Sequence, residues 1–130
     1  MKRRHAFTLG LGAAVAAALP ARAQTPPRIV SPRIVSVGSA LTEIIYGLRA
    51  ETLLAGVDTT SQYPAAARAL PQVGYMRALS AEGVLSLKPT LVIATTAAGP
   101  ASTLDQLRAT GVEVLVLPDH YDYKSVVAKI

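Results

Sequence analysis

From Arg33 onward the chain alternates short apolar runs with stretches in which apolar residues recur every three or four positions. Residues 34–37, Ile-Val-Ser-Val, predict a strand ended by Gly38. In residues 40–48, Leu41, Ile44, Ile45 and Leu48 recur at i, i+3, i+4 and i+7, the spacing of one helix face, with Ser39 placed to act as the N-cap. Residues 53–57 predict a second strand, and residues 58–72 a long polar loop carrying Pro64 and Pro71. A second helix is expected over residues 80–87, with Glu82 in its first turn, where a carboxylate suits the helix dipole. A third strand is expected over residues 91–94. Residues 101–109 predict a third helix, with Leu104, Leu107 and Arg108 spaced for one face and Gly111 ending it as the C′ residue. Residues 114–117 predict a fourth strand stopped by Pro118, and residues 123–130 begin another helix.

Continuous Val/Ile/Leu strands separated by helices imply an α/β fold: a mostly parallel four-stranded sheet covered on both faces. Ligands in such sheets bind beyond the carboxyl ends of the strands. That assigns residues 38–40, 58–60, 95–99 and 118–121 to the functional rim. The loop carrying Tyr75 hangs between strands two and three and can reach the same rim.

Residues 1–23 read as an export signal. Lys2-Arg3-Arg4 precedes an apolar run over residues 6–19, and Ala21-Arg22-Ala23 has the small-x-small pattern of a cleavage site. The run is shorter than the roughly 20 residues a membrane span needs. Arg3-Arg4 followed by His5, Ala6 and Phe7 is similar to a twin-arginine signal, although Ala6 stands where a larger apolar residue is usual. Residues 24–32 are a proline-rich flexible linker in which Arg28-Ile29-Val30-Ser31 duplicates Arg33-Ile34-Val35-Ser36.

Composition narrows the chemistry. A chain of 130 residues, half of them apolar, is enough for one ordinary domain. It holds no cysteine, which excludes disulfides, thiolate metal sites and a lipidated cysteine at the cleavage site. The net charge of +5 is carried mostly by Lys2, Arg3, Arg4 and Arg22 of the leader. Without them the basic count falls from 13 to nine against 8 acids, so no nucleic-acid partner is implied. No phosphate-binding Gly-x-x-x-x-Gly-Lys loop occurs, the one Gly-x-Gly (Gly10-Leu11-Gly12) lies in the leader, and no Ser-His-Asp or His/carboxylate group has motif spacing. The chain does not read as an enzyme.

The most informative stretch is residues 73–89, VGYMRALSAEGVLSLKP. Tyr75 and Arg77 lie two residues apart after a glycine. A tyrosine there can be a packing residue with a wet hydroxyl. It can also be an iron(III) ligand, since a phenolate oxygen binds ferric iron readily and a nearby guanidinium favours the ionised phenol. Side-chain alternation in an extended loop would turn Met76 away from Tyr75 and into packing.

Gly74-Tyr75-Met76-Arg77 together with Leu79-Ser80-Ala81-Glu82-Gly83 resembles the haem-binding periplasmic proteins of bacterial haem importers. They belong to a larger group that also binds cobalamin and ferric siderophores. The run Leu87-Lys88-Pro89-Thr90-Leu91-Val92-Ile93 is shared across that larger group. The resemblance covers residues 33–130. It implies a Rossmann-like N-terminal lobe over residues 33–119, with residues 120–130 starting a helix that joins two lobes and the chain truncated within it. By the same resemblance the protein would be periplasmic, monomeric, and a substrate-binding partner of an ABC permease and its ATPase. Its cargo would be haem, held by Tyr75 as axial ligand to the metal. Arg77 would either hydrogen-bond the phenolate or pair with a haem propionate. Asp58, Tyr63 and Gly99 would wall the pocket, and Tyr63 before Pro64 reads equally as packing. Glu82 would dock onto permease arginines, a role compatible with stabilising its own helix. His120, with Tyr121 and Tyr123, reads as a second haem ligand or as a solvated loop residue. The alternatives are a cobalamin or ferric-siderophore binder of the same architecture, or a single lobe with little ligand affinity.

Overall fold

Four short strands build one sheet: β1 (Ile34–Val37), β2 (Leu54–Val57), β3 (Leu91–Thr95) and β4 (Glu113–Leu117), in the order β2-β1-β3-β4 and parallel throughout. The computed structural model describes residues 30–119 and 122–130. The leader and most of the linker therefore lie outside the described residues. β1 and β3 pair without a break from Ile34↔Leu91 to Val37↔Ala94, and β3 and β4 from Leu91↔Glu113 to Thr95↔Leu117. The register between β1 and β2 shifts once, after Ile34. Helices α1 (Ser39–Gly47), α2 (Ala81–Leu85), α3 (Ala101–Ala109) and α4 (Tyr123–Lys129) accompany the strands. Two short 3₁₀ turns, Glu51–Leu53 and Ala65–Ala69, flank β2.

Side-chain alternation sends successive residues of each strand to opposite faces. Val35, Val37, Val92 and Ala94 pack with Val73, Leu79, Val84, Leu104 and Leu107, so α2 and α3 cover one face. Ile34, Leu54 and Val57 pack with Ile45 of α1 on the other, where Leu91 and Ile93 also contribute. β1 is buried at every position, as a central parallel strand should be. β4 is an edge strand. Its Val114 and Val116 reach the α2/α3 core, while Glu113 and Leu115 of the same strand stay exposed.

The four-stranded α/β lobe agrees with the sequence expectation, and four local differences have physical reasons. Ser39 is not the N-cap of α1. Gly38 holds that place at φ 120, and Ser39 is already helical with no side-chain cap bond. A side chain at Gly38 would be strained at that φ and would strike Thr95 Cγ2 at 2.6 Å. Second, the buried face of α1 is Leu41, Thr42 and Ile45, while Leu48 is 56% exposed. Thr42 turns inward because its hydroxyl meets the buried hydroxyls of Ser36 and Ser61, and this rotates Ile44 and Leu48 outward. There they line a depression of about 470 Å³ together with Val126 and Ile130 at the end of the chain. Third, Arg108 is not on the buried face of α3 but forms an exposed 3.0 Å ion pair with Asp105. α2 is also shorter than expected. Ser80 is its N-cap, accepting from the Gly83 N–H at 3.3 Å, and Lys88 at φ 51 with Pro89 after it stops continuation. Gly111 follows α3 at φ 90, and its N–H donates to the Arg108 carbonyl.

Candidate functional site

The carboxyl ends of β1, β2 and β3 deliver Gly38, Asp58 and Thr95 to one rim. Asp58 is fully buried and has four donors around its carboxylate. Oδ1 accepts from the Gly38 N–H at 2.9 Å and the Ser61 hydroxyl at 2.9 Å. Oδ2 accepts from the Thr60 N–H at 3.0 Å and the Thr60 hydroxyl at 2.6 Å. Ser61 Oγ lies 2.7 Å from Thr42 Oγ1, which donates to Ser36 Oγ at 2.9 Å. A buried charge persists only where such partners replace water. Asp58 thereby ties the β1–α1 turn to the loop after β2. Asp58 was expected at the pocket wall. Its oxygens serve the protein's own backbone and hydroxyls, so it supports the pocket from behind and does not wall it.

The loop with Tyr75 is pinned from two sides. The Thr59 N–H donates to the Gly74 carbonyl at 3.0 Å, and the Val73 N–H to the Val57 carbonyl at 3.0 Å. On the far side the Gly99 N–H donates to the Met76 carbonyl at 2.9 Å, while the Leu79 N–H donates back to the Gly99 carbonyl at 2.9 Å. Gly99 is thus a buried backbone clamp between the loop after β3 and the Tyr75 loop. Met76 packs against the core, whereas Tyr75 is 49% exposed; the segment is not extended but a turn, closed by the Ala78 N–H on the Tyr75 carbonyl at 2.9 Å.

Arg77 lines a depression of about 250 Å³ with Ser39, Ala40, Thr95 and Asp119. Asp119 is paired with Lys129 of α4 at 2.7 Å, and its N–H donates to Thr96 Oγ1 at 3.3 Å. Thr95 is 4% exposed, and its hydroxyl oxygen has no hydrogen-bond partner among the described residues. Tyr63 stands apart, 69% exposed ahead of the Ala65–Ala69 turn. Glu82 is exposed in the first turn of α2. His120 and Tyr121 lie outside the described residues, and Tyr123 is exposed at the start of α4. The rim therefore gathers Arg77 with the Tyr75 loop, Gly99 and, behind them, Asp58. It leaves Tyr63 to the side.

Sequence reasoning placed residues 95–99 and 118–121 on the rim without singling out Thr95 or Asp119, and it missed Lys129 and the hydroxyl network. One signal was present: Ser36 interrupts an otherwise Val/Ile strand, and Asp58-Thr59-Thr60-Ser61 has the composition of a side-chain-closed turn.

The chain is thus a parallel-sheet α/β lobe with an exposed rim at its strand ends. Residues 34–128 match the periplasmic binding protein family, and the chain belongs to that family. A periplasmic heme binding protein from Pseudomonas aeruginosa superposes with a TM-score of 0.74 at 44% identity, over 77% of this chain and 36% of that one. The periplasmic heme-binding protein BhuT, in complex with two hemes, gives a TM-score of 0.74 at 44% identity, over 77% of this chain and 39% of its own. A vitamin B12-binding protein of Yersinia pestis is 32% identical over 99 residues, 75% of this chain and 35% of that protein. The chain spans little more than a third of the length of these relatives. All three are binding proteins.

Proposed function

We propose that this chain is the first lobe of the periplasmic substrate-binding component of an ABC importer and that its cargo is haem. The supporting observation is Tyr75, half-exposed on a loop pinned to the strand-end rim, with Arg77 lining the adjoining depression. The Tyr75 oxygen would bind ferric iron as a phenolate, with Arg77 as its charge partner, and apolar side chains would face the porphyrin. Gly99 would fix the Tyr75 loop beneath the cargo, Tyr63 would stand to the side of it, and Asp58 would hold the rim from beneath. The 44% identity to two haem-binding proteins supports haem over other cargo. Glu82, exposed on α2, would meet the permease when the monomeric loaded protein docks. Residues 1–23 would direct export.

Ferric haem added to the protein is expected to give a tyrosinate-type spectrum that Tyr75→Phe abolishes. A Phe variant with an unchanged spectrum refutes the role of Tyr75. The 32% identity to a vitamin B12-binding protein favours a second reading, in which Tyr75 is a pocket wall and no iron–protein bond forms. Side-by-side titration with cobalamin and haem separates the two. Half a cleft covers half a ligand, so the 130-residue chain should bind haem more weakly than a two-lobe relative; equal affinity would count against the cleft.

A further inference from the structure

We infer that Met76 is an oxidation site: hydrogen peroxide converts its thioether to a sulfoxide, and the change loosens the Tyr75 loop from the rest of the rim. The inference concerns the protein without cargo and does not depend on which cargo the rim takes.

Sulfur is scarce in this sequence. There is no cysteine, and the two methionines are Met1 and Met76. No thiol competes for an oxidant, and beyond the leader Met76 carries the sole sulfur. Its side chain is half-buried and lines the depression of about 250 Å³ at the strand ends. Peroxide is a small oxidant, and that open depression gives it a path to residue 76.

Three contacts meet at Met76. Its side chain packs against the core that includes Val73, Leu79 and Val84. Its carbonyl accepts the Gly99 N–H at 2.9 Å, one half of the clamp between the two loops. Its sulfur lies 3.9 Å from the Thr60 hydroxyl oxygen, and that hydroxyl donates to Asp58 Oδ2 at 2.6 Å. Oxidation acts on the first and third of these directly. A sulfoxide turns a flexible apolar side chain into a polar one and disrupts such packing. Its oxygen is also a stronger acceptor than a thioether sulfur, which accepts only weakly. It therefore competes with Asp58 for the single Thr60 hydroxyl proton. Both effects draw residue 76 away from the core, and the bond from Gly99 weakens with it. Tyr75 precedes Met76 on the same turn, so its presentation at the rim follows the oxidation state of its neighbour.

The step balances with peroxide alone. A sulfur lone pair attacks one peroxide oxygen, the S–O bond forms and the O–O bond breaks. The departing hydroxide takes the proton from the transferred oxygen and leaves as water. Sulfur loses two electrons and the peroxide gains them. In the reverse step a methionine sulfoxide reductase returns the thioether, with a dithiol supplying the two electrons, closing to a disulfide and releasing water.

The test treats the full chain with hydrogen peroxide and maps the product by mass spectrometry of the tryptic peptide 69–77, which ends at Arg77 and holds Met76. That peptide should gain one oxygen at a rate comparable to that of free methionine. The oxidised chain should melt lower by about 4 °C or more. Its Gly99 amide should exchange roughly tenfold faster, the effect of weakening one hydrogen-bonded contact. A mixture of the two epimer-specific methionine sulfoxide reductases with dithiothreitol should restore both readings. Met76→Leu keeps the side-chain volume without the sulfur, so peroxide should leave its melting and its Gly99 exchange where they started. A peptide 69–77 that stays unoxidised while free methionine is consumed would overturn the site. So would an oxidised chain whose melting and Gly99 exchange match the untreated protein, or a Met76→Leu chain that shifts under peroxide as wild type does. No arm contains cargo, so failure of the haem reading leaves the result standing.

Discussion

Replacing Asp58 by alanine tests whether one carboxylate holds the rim together. The substitution strands donors that now point at Asp58. Thr60 is partly exposed, so its N–H and hydroxyl can turn to water. The Gly38 N–H and the Ser61 hydroxyl are buried, and each would lose its partner without gaining solvent. At about 1–3 kcal/mol for a stranded buried donor, those two give a loss of roughly 2–6 kcal/mol. That is a large share of the ~5–15 kcal/mol by which domains are stable. In urea unfolding followed by far-UV circular dichroism, with a slope of about 1–3 kcal/mol per molar, the midpoint should fall by more than about 0.7 M. Asp58→Asn should fall in between, because its amide keeps one acceptor oxygen but faces other donors with its NH₂. A midpoint shift below about 0.5 M for Asp58→Ala would refute the argument. It would mean that Ser61, Thr42 and Ser36 re-pair among themselves and that the carboxylate was dispensable.

Gly56→Ala should destabilise by about 1–3 kcal/mol, because an added Cβ lies 2.9 Å from the Pro71 carbonyl oxygen and against the Leu87 side chain; a thermal melt reads it. Leu48→Gln should leave the melting temperature almost unchanged, within about 0.5 kcal/mol, since Leu48 lies on the outward side of α1; a loss above about 2 kcal/mol would restore the face expected from spacing alone. Glu82→Gln should leave the haem spectrum intact while slowing uptake in cells that depend on this importer, and unchanged uptake would remove Glu82 from docking.

The strands were legible because Ile34–Val37 and Leu91–Thr95 are runs of β-branched and aliphatic residues between glycine, proline and polar stretches. Gly111 and the helix start at Ser80 were legible for the same local reason. What escaped was everything decided across the fold. Thr42 looks polar and therefore outward, yet Ser36 and Ser61, brought near by the sheet, turn it inward and rotate α1. Asp58 looks like a ligand-facing carboxylate until the Gly38 N–H, 20 residues earlier, is seen to occupy it. Thr95 gave no local signal, because what singles it out is the lack of a partner, and only the packed structure shows that. The Tyr75 loop was found through its resemblance to known binders, and a tyrosine near an arginine would have carried little weight alone.

The clamp formed by Thr59, Gly74, Met76 and Gly99 bears on how tightly cargo can be gripped. Because these loops are crosslinked through backbone bonds before any guest arrives, binding need not freeze them, and the entropy usually lost in ordering a loop is already spent during folding. Amide protons at Thr59 and Gly99 should accordingly exchange slowly in the empty lobe, with little further slowing on loading.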